Sequence, residues 1–357
     1  MSGQRHGGDR YRHTVRYDFS VNTNPLGMPD YVKRALREKI QAGAELWEWY
    51  PDPSCDSLRG ALASCHGVSR EQIVCGNGAS ELICAIARML SQEKAARRIT
   101  CLLPVPSFSE YERALQAVGA EIRYETGKAE TGFALTEGIL EALTADVDAV
   151  FLCSPNNPVG DRIPERLLGR IMERCRQHGI TVVFDACFGE LAVTGEPADC
   201  GLPDAGPELI VLKAFTKLYA IPGLRLGYCI ADSGVAERLQ AQLPCWNVSG
   251  IAQLAGLTIL DGGRNIDYIS QTRKYIADER NFLLTGLEKL GLRVLPGAAN
   301  FLCFYTEAPL YEKLLERGIL IRDCGDYRGM GRGWYRIAVR TRRENEILLE
   351  EIKGEIG

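Results

Sequence analysis

Short apolar runs alternate with helical patterns through the middle of this chain, and this alternation limits the fold more than any other feature. Buried strands are predicted at 73–75, 99–103, 149–153, 180–184 and 209–212. Helical patterns follow several of them: one reaches Leu90, and another has an apolar face from Ile163 to Cys175 and is closed by Gly179. We therefore expect a mainly parallel sheet with helices on both sides.

The pattern changes after about residue 244. A long helical tract from 250 to about 290 precedes short strand-like runs at 301–305, 320–322 and 334–339. These runs are typical of a smaller α+β domain, and a chain of 357 residues is long for one compact core. We expect an amino-terminal arm over 1–30, a large α/β domain over 31–245 and a small domain over 246–357.

Composition excludes several classes of protein. The net charge is −4 with both signs mixed, and the absence of a basic tract argues against nucleic-acid binding. No apolar run approaches the roughly 18 residues that a membrane span needs, and the polar start does not resemble an export signal, so a cytoplasmic protein is expected. The 13 cysteines are scattered through apolar segments and lack zinc-site spacing, which favours buried thiols in a reducing compartment and no metal.

Lys217 lies just past the apolar run 209–212, with Thr216 before it and Arg225 eight positions later. A lysine that attacks an aldehyde to form a Schiff base must be partly desolvated, because burial disfavours its ammonium form. A neighbouring hydroxyl and a fixed guanidinium suit a phosphate group. The pattern is also compatible with an ordinary surface lysine in a loop.

Two further polar residues follow predicted strands. Asn157 lies in a turn after 149–153, and Asp185 ends the run 180–184. Open α/β sheets bind ligands at the carboxyl ends of their strands, so both side chains are expected at one edge. An Asn amide can donate to a phenolate oxygen, and a buried carboxylate needs a cation such as a pyridinium N–H. The alternatives are a simple Asn-Pro turn and a helix cap.

The order Asn157, Asp185, Lys217, with Arg225 after them, resembles the aminotransferase superfamily of pyridoxal-phosphate enzymes of fold type I. The resemblance spans nearly the whole chain. It implies a large domain with a mainly parallel, seven-stranded sheet between helices, and a smaller α+β domain. It also implies pyridoxal 5′-phosphate bonded covalently to Lys217, with Asp185 at the ring nitrogen and Asn157 at the 3′ oxygen.

The same resemblance implies how the rest of the cofactor is held. Its phosphate would lie at a strand–helix junction against Gly78, Ala79 and Ser80, and Phe108 would stack on the ring. Tyr50 matches a tyrosine that reaches the cofactor of the partner subunit, which implies a homodimer with shared active sites. Ala214 departs from the family, which commonly has a hydroxyl there, so Thr216, Ser80 and Arg225 would have to suffice.

Within the superfamily, three segments resemble the threonine-phosphate decarboxylases of the cobalamin pathway. They are the arm with His6-Gly7-Gly8 and 18–27, the residues after Lys217, and the end at 321–324 and 335–340. Phe188 also agrees with that branch, because aminotransferases typically have a tyrosine three residues after the aspartate. The resemblance implies decarboxylation of O-phospho-L-threonine to aminopropanol phosphate.

The decarboxylase resemblance implies substrate contacts from His6, Gly7, Asn22, Asn157, Arg322 and Arg336. Two guanidinium groups can clamp a carboxylate and a phosphate. Simpler interpretations are a solvated terminal histidine and two surface ion pairs. Two other functions stay open: an aminotransferase of the histidinol-phosphate type, and a catalytically silent pyridoxal-phosphate-binding regulator, against which the intact Asn157, Asp185 and Lys217 count.

Overall fold

The computed structural model describes residues 7–43, 48–94, 96–193, 206 and 208–356. In chain order, the strands are β1 (Tyr17–Asp18), β2 (Ile73–Gly76), β3 (Thr100–Val105), β4 (Glu121–Thr126), β5 (Ala149–Cys153), β6 (Thr181–Asp185), β7 (Leu209–Ala214), β8 (Gly227–Ala231), β9 (Arg293–Val294), β10 (Phe301–Tyr305), β11 (Ile319–Leu320), β12 (Arg322–Asp323) and β13 (Trp334–Ala338).

The α-helices flank these strands. They are α1 (Asp30–Ala42), α2 (Asp56–His66), α3 (Ala79–Glu93), α4 (Ser109–Ala117), α5 (Ile139–Ala142), α6 (Glu165–His178), α7 (Phe215–Leu218), α8 (Ser233–Gln240), α9 (Gly250–Leu260), α10 (Arg264–Lys289), α11 (Leu310–Glu316) and α12 (Arg342–Ile356). The long helical tract expected from 250 to 290 is thus two helices. The break between them contains Gly262 and Gly263, which both have positive φ angles.

A seven-stranded sheet forms the centre, in the order β2-β8-β7-β6-β5-β3-β4. The pairings among β3 to β7 are parallel, whereas β8 runs antiparallel to both β7 and β2. The inner strands are continuous apolar runs because helices cover both faces of the sheet. The α/β fold with a mainly parallel sheet is therefore confirmed.

Successive residues of the inner strands pack into cores on opposite faces of this sheet. Leu152 and Phe184 belong to the core that α6 covers, and Phe151 and Val183 belong to the core that α3 covers. Burying a side chain of this size contributes about 1.5–3 kcal/mol. Dense packing on both faces holds the ends of β5, β6 and β7 in fixed positions, and those ends carry the polar residues described below.

A second, four-stranded antiparallel sheet has the order β12-β13-β10-β9. The arm joins this part of the chain, because β1 pairs in parallel with β11 and the Phe19 carbonyl accepts a hydrogen bond from the Ala338 N–H at 2.8 Å. Residues 7–22 are thereby tied to the carboxyl-terminal third of the sequence. The domain boundaries at 30 and 245 stay predictions.

The described part of the chain contains neither a membrane-spanning helix nor a cluster of metal-binding side chains. No helix there combines the length and the apolar character needed to cross a membrane. No three His, Cys, Asp or Glu side chains there are grouped so that they could bind a metal ion.

Candidate active site

A cavity of about 450 Å³ lies where the carboxyl ends of β5, β6 and β7 meet the arm and the second sheet. It brings together most of the residues that the sequence predicts for the site. Those that line it are Gly7, Asn22, Ala79, Ser80, Phe108, Asn157, Asp185, Thr216, Lys217, Arg225, Arg322 and Arg336.

The remaining predicted residues do not line this cavity. Gly78 lies directly behind it, at the start of α3. Tyr50 is 78% exposed and stacks on Trp246, with 4.4 Å between the ring centres. The side chain of Tyr50 therefore does not reach the cavity of its own chain. His6 lies outside the described residues.

Lys217 follows β7 on the single helical turn α7 and is half-buried in the cavity wall. Asn24 of the arm holds this turn, donating from its backbone N–H to the Lys217 carbonyl at 2.9 Å and from Nδ2 to the Leu218 carbonyl at 2.8 Å. Burial, together with the positive charges of Arg336 and Arg225, lowers the pKa of Lys217 to about 8. Its neutral, nucleophilic form is therefore far more populated near neutral pH than that of an ordinary lysine.

Asp185 ends β6 and is 5% exposed. Its Oδ1 accepts a hydrogen bond from the Cys187 N–H at 2.8 Å, and its Oδ2 accepts one from the Tyr111 hydroxyl at 2.5 Å. Within the described ranges, no lysine, arginine or histidine forms a salt bridge with this carboxylate. A buried carboxylate without a cationic partner is costly, and a ligand carrying a positively charged N–H would remove that cost.

Tyr111 is a site residue that the sequence analysis missed. It lies on α4, three residues after Phe108, and the two rings meet edge to face with their centres 5.7 Å apart. This spacing places both residues on one side of the first helical turn. The residue proposed to stack on the ring is therefore in contact with the residue that orients Asp185.

Asn157 and Arg336 both line the cavity and are hydrogen-bonded to each other. The Arg336 Nη1 donates to Oδ1 of Asn157, and its Nη2 donates to the Ser20 carbonyl at 2.6 Å. The side-chain oxygen of Asn157 is thus occupied, which leaves its Nδ2 as a donor. The Nε of Arg336 and the Oδ1 of Asn22 are buried and have no hydrogen-bond partner among the described residues.

Arg336 is 5% exposed, and it has no carboxylate partner in the part of the chain that the structure describes. A buried guanidinium that is bound only by neutral acceptors would be stabilised by a bound anion. Arg322, also 5% exposed, lies on the neighbouring strand and is directly opposite Arg336 in the sheet register. The cavity therefore has two closely spaced guanidinium groups in one wall.

A cradle for a phosphate lies at the start of α3. Gly78 has φ +79°, and a Cβ on it would lie 2.5 Å from Nη2 of Arg225, so only glycine allows this approach. Ser80 and the free N–H groups at the start of this 15-residue helix face the cavity edge, where the helix dipole favours an anion. No carboxylate among the described residues pairs with Arg225.

The side chains present fit pyridoxal phosphate. Lys217 has a lowered pKa, and among the described residues neither Asp185 nor Arg225, which lies beside the glycine at the start of α3, forms a salt bridge. The absence of a hydroxyl at Ala214 leaves Thr216, Ser80 and Arg225 on the phosphate side, and all three line the cavity. The individual roles of these residues stay predictions.

Comparison with known proteins gives a consistent result. Residues 16–352 match the sequence profile of aminotransferase class I and II. The chain is 39% identical to the threonine-phosphate decarboxylase of Salmonella typhimurium, over 94% of this chain and 90% of that protein. It is 30% identical to histidinol-phosphate aminotransferase 2 of Carboxydothermus hydrogenoformans, over 93% of this chain and 89% of that protein.

A solved structure agrees with these sequence matches. The histidinol-phosphate aminotransferase from Clostridium acetobutylicum superposes with a TM-score of 0.84 and 28% identity, covering 95% of this chain and 99% of the other. The match in sequence spans the seven-stranded and the four-stranded sheet and every cavity residue from Asn22 to Arg336. This chain belongs to the class I and II aminotransferase family.

Proposed function

We propose that this chain binds pyridoxal 5′-phosphate and decarboxylates an O-phospho amino acid, converting O-phospho-L-threonine to aminopropanol phosphate. The observation that carries the proposal is one cavity that Lys217 and Asp185 share with two buried arginines, Arg322 and Arg336. That arrangement suits a small molecule with an amine and two anionic groups. The name of the Salmonella relative describes the same chemistry.

The cofactor would be held by residues of several elements. When bound, pyridoxal phosphate supplies an aldehyde for a lysine amine and a ring that withdraws electrons from the substrate. Lys217 would provide the amine, and Asp185 would keep a proton on the ring nitrogen. Phe108 offers a flat apolar face, and Nδ2 of Asn157 is free to donate to the 3′ oxygen. Four groups serve the phosphate: the N-terminus of α3, Ser80, Thr216 and Arg225.

The substrate would be held by the opposite wall. Arg336 would bind the carboxylate through its unpartnered Nε, and Arg322 would bind the phosphate. Asn22 would accept a hydrogen bond at Oδ1, and the arm would add Gly7 and His6. Holding the carboxylate at Arg336 would fix the orientation of the substrate Cα, and with it the bond to that carbon that can break.

Lys217 would also handle the proton that completes the reaction. A group with a pKa of about 8 both donates and accepts protons readily near neutral pH. After CO₂ leaves, Nζ would deliver a proton to the carbon that has lost its carboxylate. Phe188 gives the cavity an apolar surface, and its ring packs edge to face against Phe301 with 5.3 Å between the ring centres.

The second candidate function is transamination of the histidinol-phosphate type, which the Carboxydothermus and Clostridium relatives favour. The same Lys217 would then remove the Cα hydrogen instead of protonating that carbon. Phe188 favours decarboxylation, because it has no hydroxyl at the position where the aminotransferases typically have tyrosine.

We further propose that the active form is a homodimer. Tyr50 and Trp246, 78% and 47% exposed, form a stacked aromatic pair at the surface. An exposed pair of this kind suits a protein–protein contact. The family resemblance implies that Tyr50 reaches the cofactor phosphate of the other subunit.

The proposed reaction is tested by supplying O-phospho-L-threonine to the cofactor-loaded protein without any keto acid. Release of one CO₂ per aminopropanol phosphate formed would support the proposal. No CO₂ release, together with amino transfer from histidinol phosphate once 2-oxoglutarate is added, would replace it with the aminotransferase function.

A further inference from the structure

The guanidinium of Arg322 is held by the residues that follow it in the chain. Its Nη1 donates to the Asp323 carbonyl at 2.5 Å, and its Nη2 donates to Oδ1 of Asp326 at 2.7 Å. Its central carbon lies 4.8 Å from the centre of the Tyr327 ring. A long side chain that would otherwise sample many rotamers is thereby given one orientation.

Asp326 lies behind this guanidinium as seen from the substrate cavity. Arg322 and Tyr327 line the cavity that contains Lys217, whereas Asp326 and Arg322 line a separate small hollow next to it. A guanidinium has five N–H groups, and these two hydrogen bonds use only two of them. The carboxylate therefore anchors Arg322 and leaves other N–H groups for a ligand.

The two arginines of the cavity consequently differ in charge environment. Arg336 is bound by neutral oxygen acceptors, while Arg322 is paired with a carboxylate. A singly charged group such as a carboxylate gains more from the uncompensated Arg336. A phosphate monoester can still bind favourably to a guanidinium that is already paired, because it has several acceptor oxygens and more than one negative charge.

We propose that Asp326 is a positioning residue that orients Arg322 for a phosphate monoester and so makes the site prefer phosphorylated substrates. This inference rests on the proposed function. Asp326 itself does not touch the substrate. Its effect is on the binding of the phosphate group, and it leaves the loss of CO₂ and the proton transfer by Lys217 unchanged.

The test uses two ligands that lack a carboxylate and therefore cannot be decarboxylated: 2-aminoethyl phosphate and its unphosphorylated counterpart, ethanolamine. Calorimetry on the cofactor-loaded protein gives the affinity for each. Asp326→Ala should weaken binding of 2-aminoethyl phosphate about tenfold, because Arg322 then has to be ordered when the phosphate binds, and it should leave ethanolamine binding unchanged. Asp326→Asn should lose less, because its amide oxygen still accepts from Arg322.

Steady-state kinetics distinguish a positioning role of Asp326 from a general structural role. With O-phospho-L-threonine, Asp326→Ala should raise KM and leave kcat unchanged. In an Arg322→Ala background the same substitution should add no further loss, because the two residues act through one guanidinium. Glu351→Ala is the control for loss of a carboxylate: Glu351 pairs with Arg317 at 2.6 Å and its side chain is 31% exposed, and Asp326 pairs with Arg322 at 2.7 Å and is 30% exposed. Glu351→Ala should leave the affinities for 2-aminoethyl phosphate and for ethanolamine unchanged.

Unchanged or tighter binding of 2-aminoethyl phosphate by both Asp326 variants would overturn the inference. So would an equal loss for ethanolamine, or an additive loss in the Arg322→Ala background. A wild-type protein that binds both ligands equally would instead contradict the proposed preference for phosphorylated substrates, and this inference with it. A wild-type preference that survives in the Asp326 variants would contradict the inference alone.

Discussion

The hydroxyl of Tyr111 donates to Oδ2 of Asp185 at 2.5 Å, and the two side chains are 1% and 5% exposed. Burial, and then the nearby charge of Asp185, raise the pKa of Tyr111 well above its usual value, so the phenol remains a donor. The Cys187 N–H holds the other carboxylate oxygen at 2.8 Å. The plane of the carboxylate is therefore fixed by the protein alone.

Tyr111→Phe should therefore weaken both the fold and the site. Removing a donor to a buried carboxylate should lower the free energy of unfolding of the apoprotein by about 1–3 kcal/mol, measured with urea. The affinity for pyridoxal phosphate should fall as well, because Asp185 loses its fixed orientation. Tyr124→Phe is the control. Tyr124 lies on the half-buried edge strand β4, and its hydroxyl donates to Glu112 at 2.8 Å. Wild-type stability and affinity in Tyr111→Phe would contradict this account.

Lys217→Arg should abolish covalent attachment of the cofactor, because guanidinium is not a nucleophile at neutral pH. The measurement is the protein mass after loading with pyridoxal phosphate and reduction with borohydride. Wild type should gain the mass of one reduced cofactor, and Lys217→Arg should gain none. Lys213→Arg should still gain the mass of one reduced cofactor. Lys213 is four residues from Lys217 and is buried beside Glu190. An adduct on another lysine in Lys217→Arg would show that Lys217 is not the attachment site.

The lowered pKa of Lys217 predicts a pH dependence of this attachment. The neutral amine attacks the aldehyde, so the observed rate should rise with pH through about 8 and then level off. Stopped-flow absorbance after mixing apoprotein with pyridoxal phosphate gives this profile. Arg336→Gln removes a positive charge that lowers this pKa, so its midpoint should move to higher pH. A wild-type midpoint near 10.4, the value of an ordinary lysine, would contradict the prediction.

Gly78→Ala should disrupt the phosphate cradle through Arg225. The new Cβ would lie 2.5 Å from Nη2 of Arg225 and force that side chain away. Gly27→Ala is the control, because Gly27 has a similar φ of +77° but no atom within 4 Å of the added Cβ. Each substitution adds backbone strain of order 1–3 kcal/mol, but only Gly78→Ala should weaken binding of pyridoxal phosphate. Equal affinities in the two variants would rule out Arg225 as the reason for the glycine.

The central strands and their polar ends were predictable because buried parallel strands are continuous apolar runs. That signal located Asn157, Asp185 and Lys217 correctly at one edge of the sheet. It failed for β4, an edge strand whose partly exposed residues include Glu121, Arg123 and Glu125. Strand β8 is also a buried apolar run, but it was not predicted because it directly follows the motif after Lys217.

Contacts between distant side chains were not predictable. Tyr111 and Asp185 are 74 residues apart, and no local pattern pairs a helix tyrosine with the end of a later strand. Arg322 was predicted in the site, but its anchor Asp326 lies in a loop without periodicity, so only the folded chain shows that they are paired.

The measurement that tests the central claim most directly is incubation of the cofactor-loaded protein with O-phospho-L-threonine in deuterium oxide. Carbon dioxide and the masses of the amine products are followed together. We predict aminopropanol phosphate carrying one non-exchangeable deuterium on the carbon that lost its carboxylate, with an equal amount of CO₂. Recovered O-phospho-L-threonine with deuterium at Cα and no CO₂ would mean that the site breaks the Cα–H bond, and would contradict the decarboxylase function.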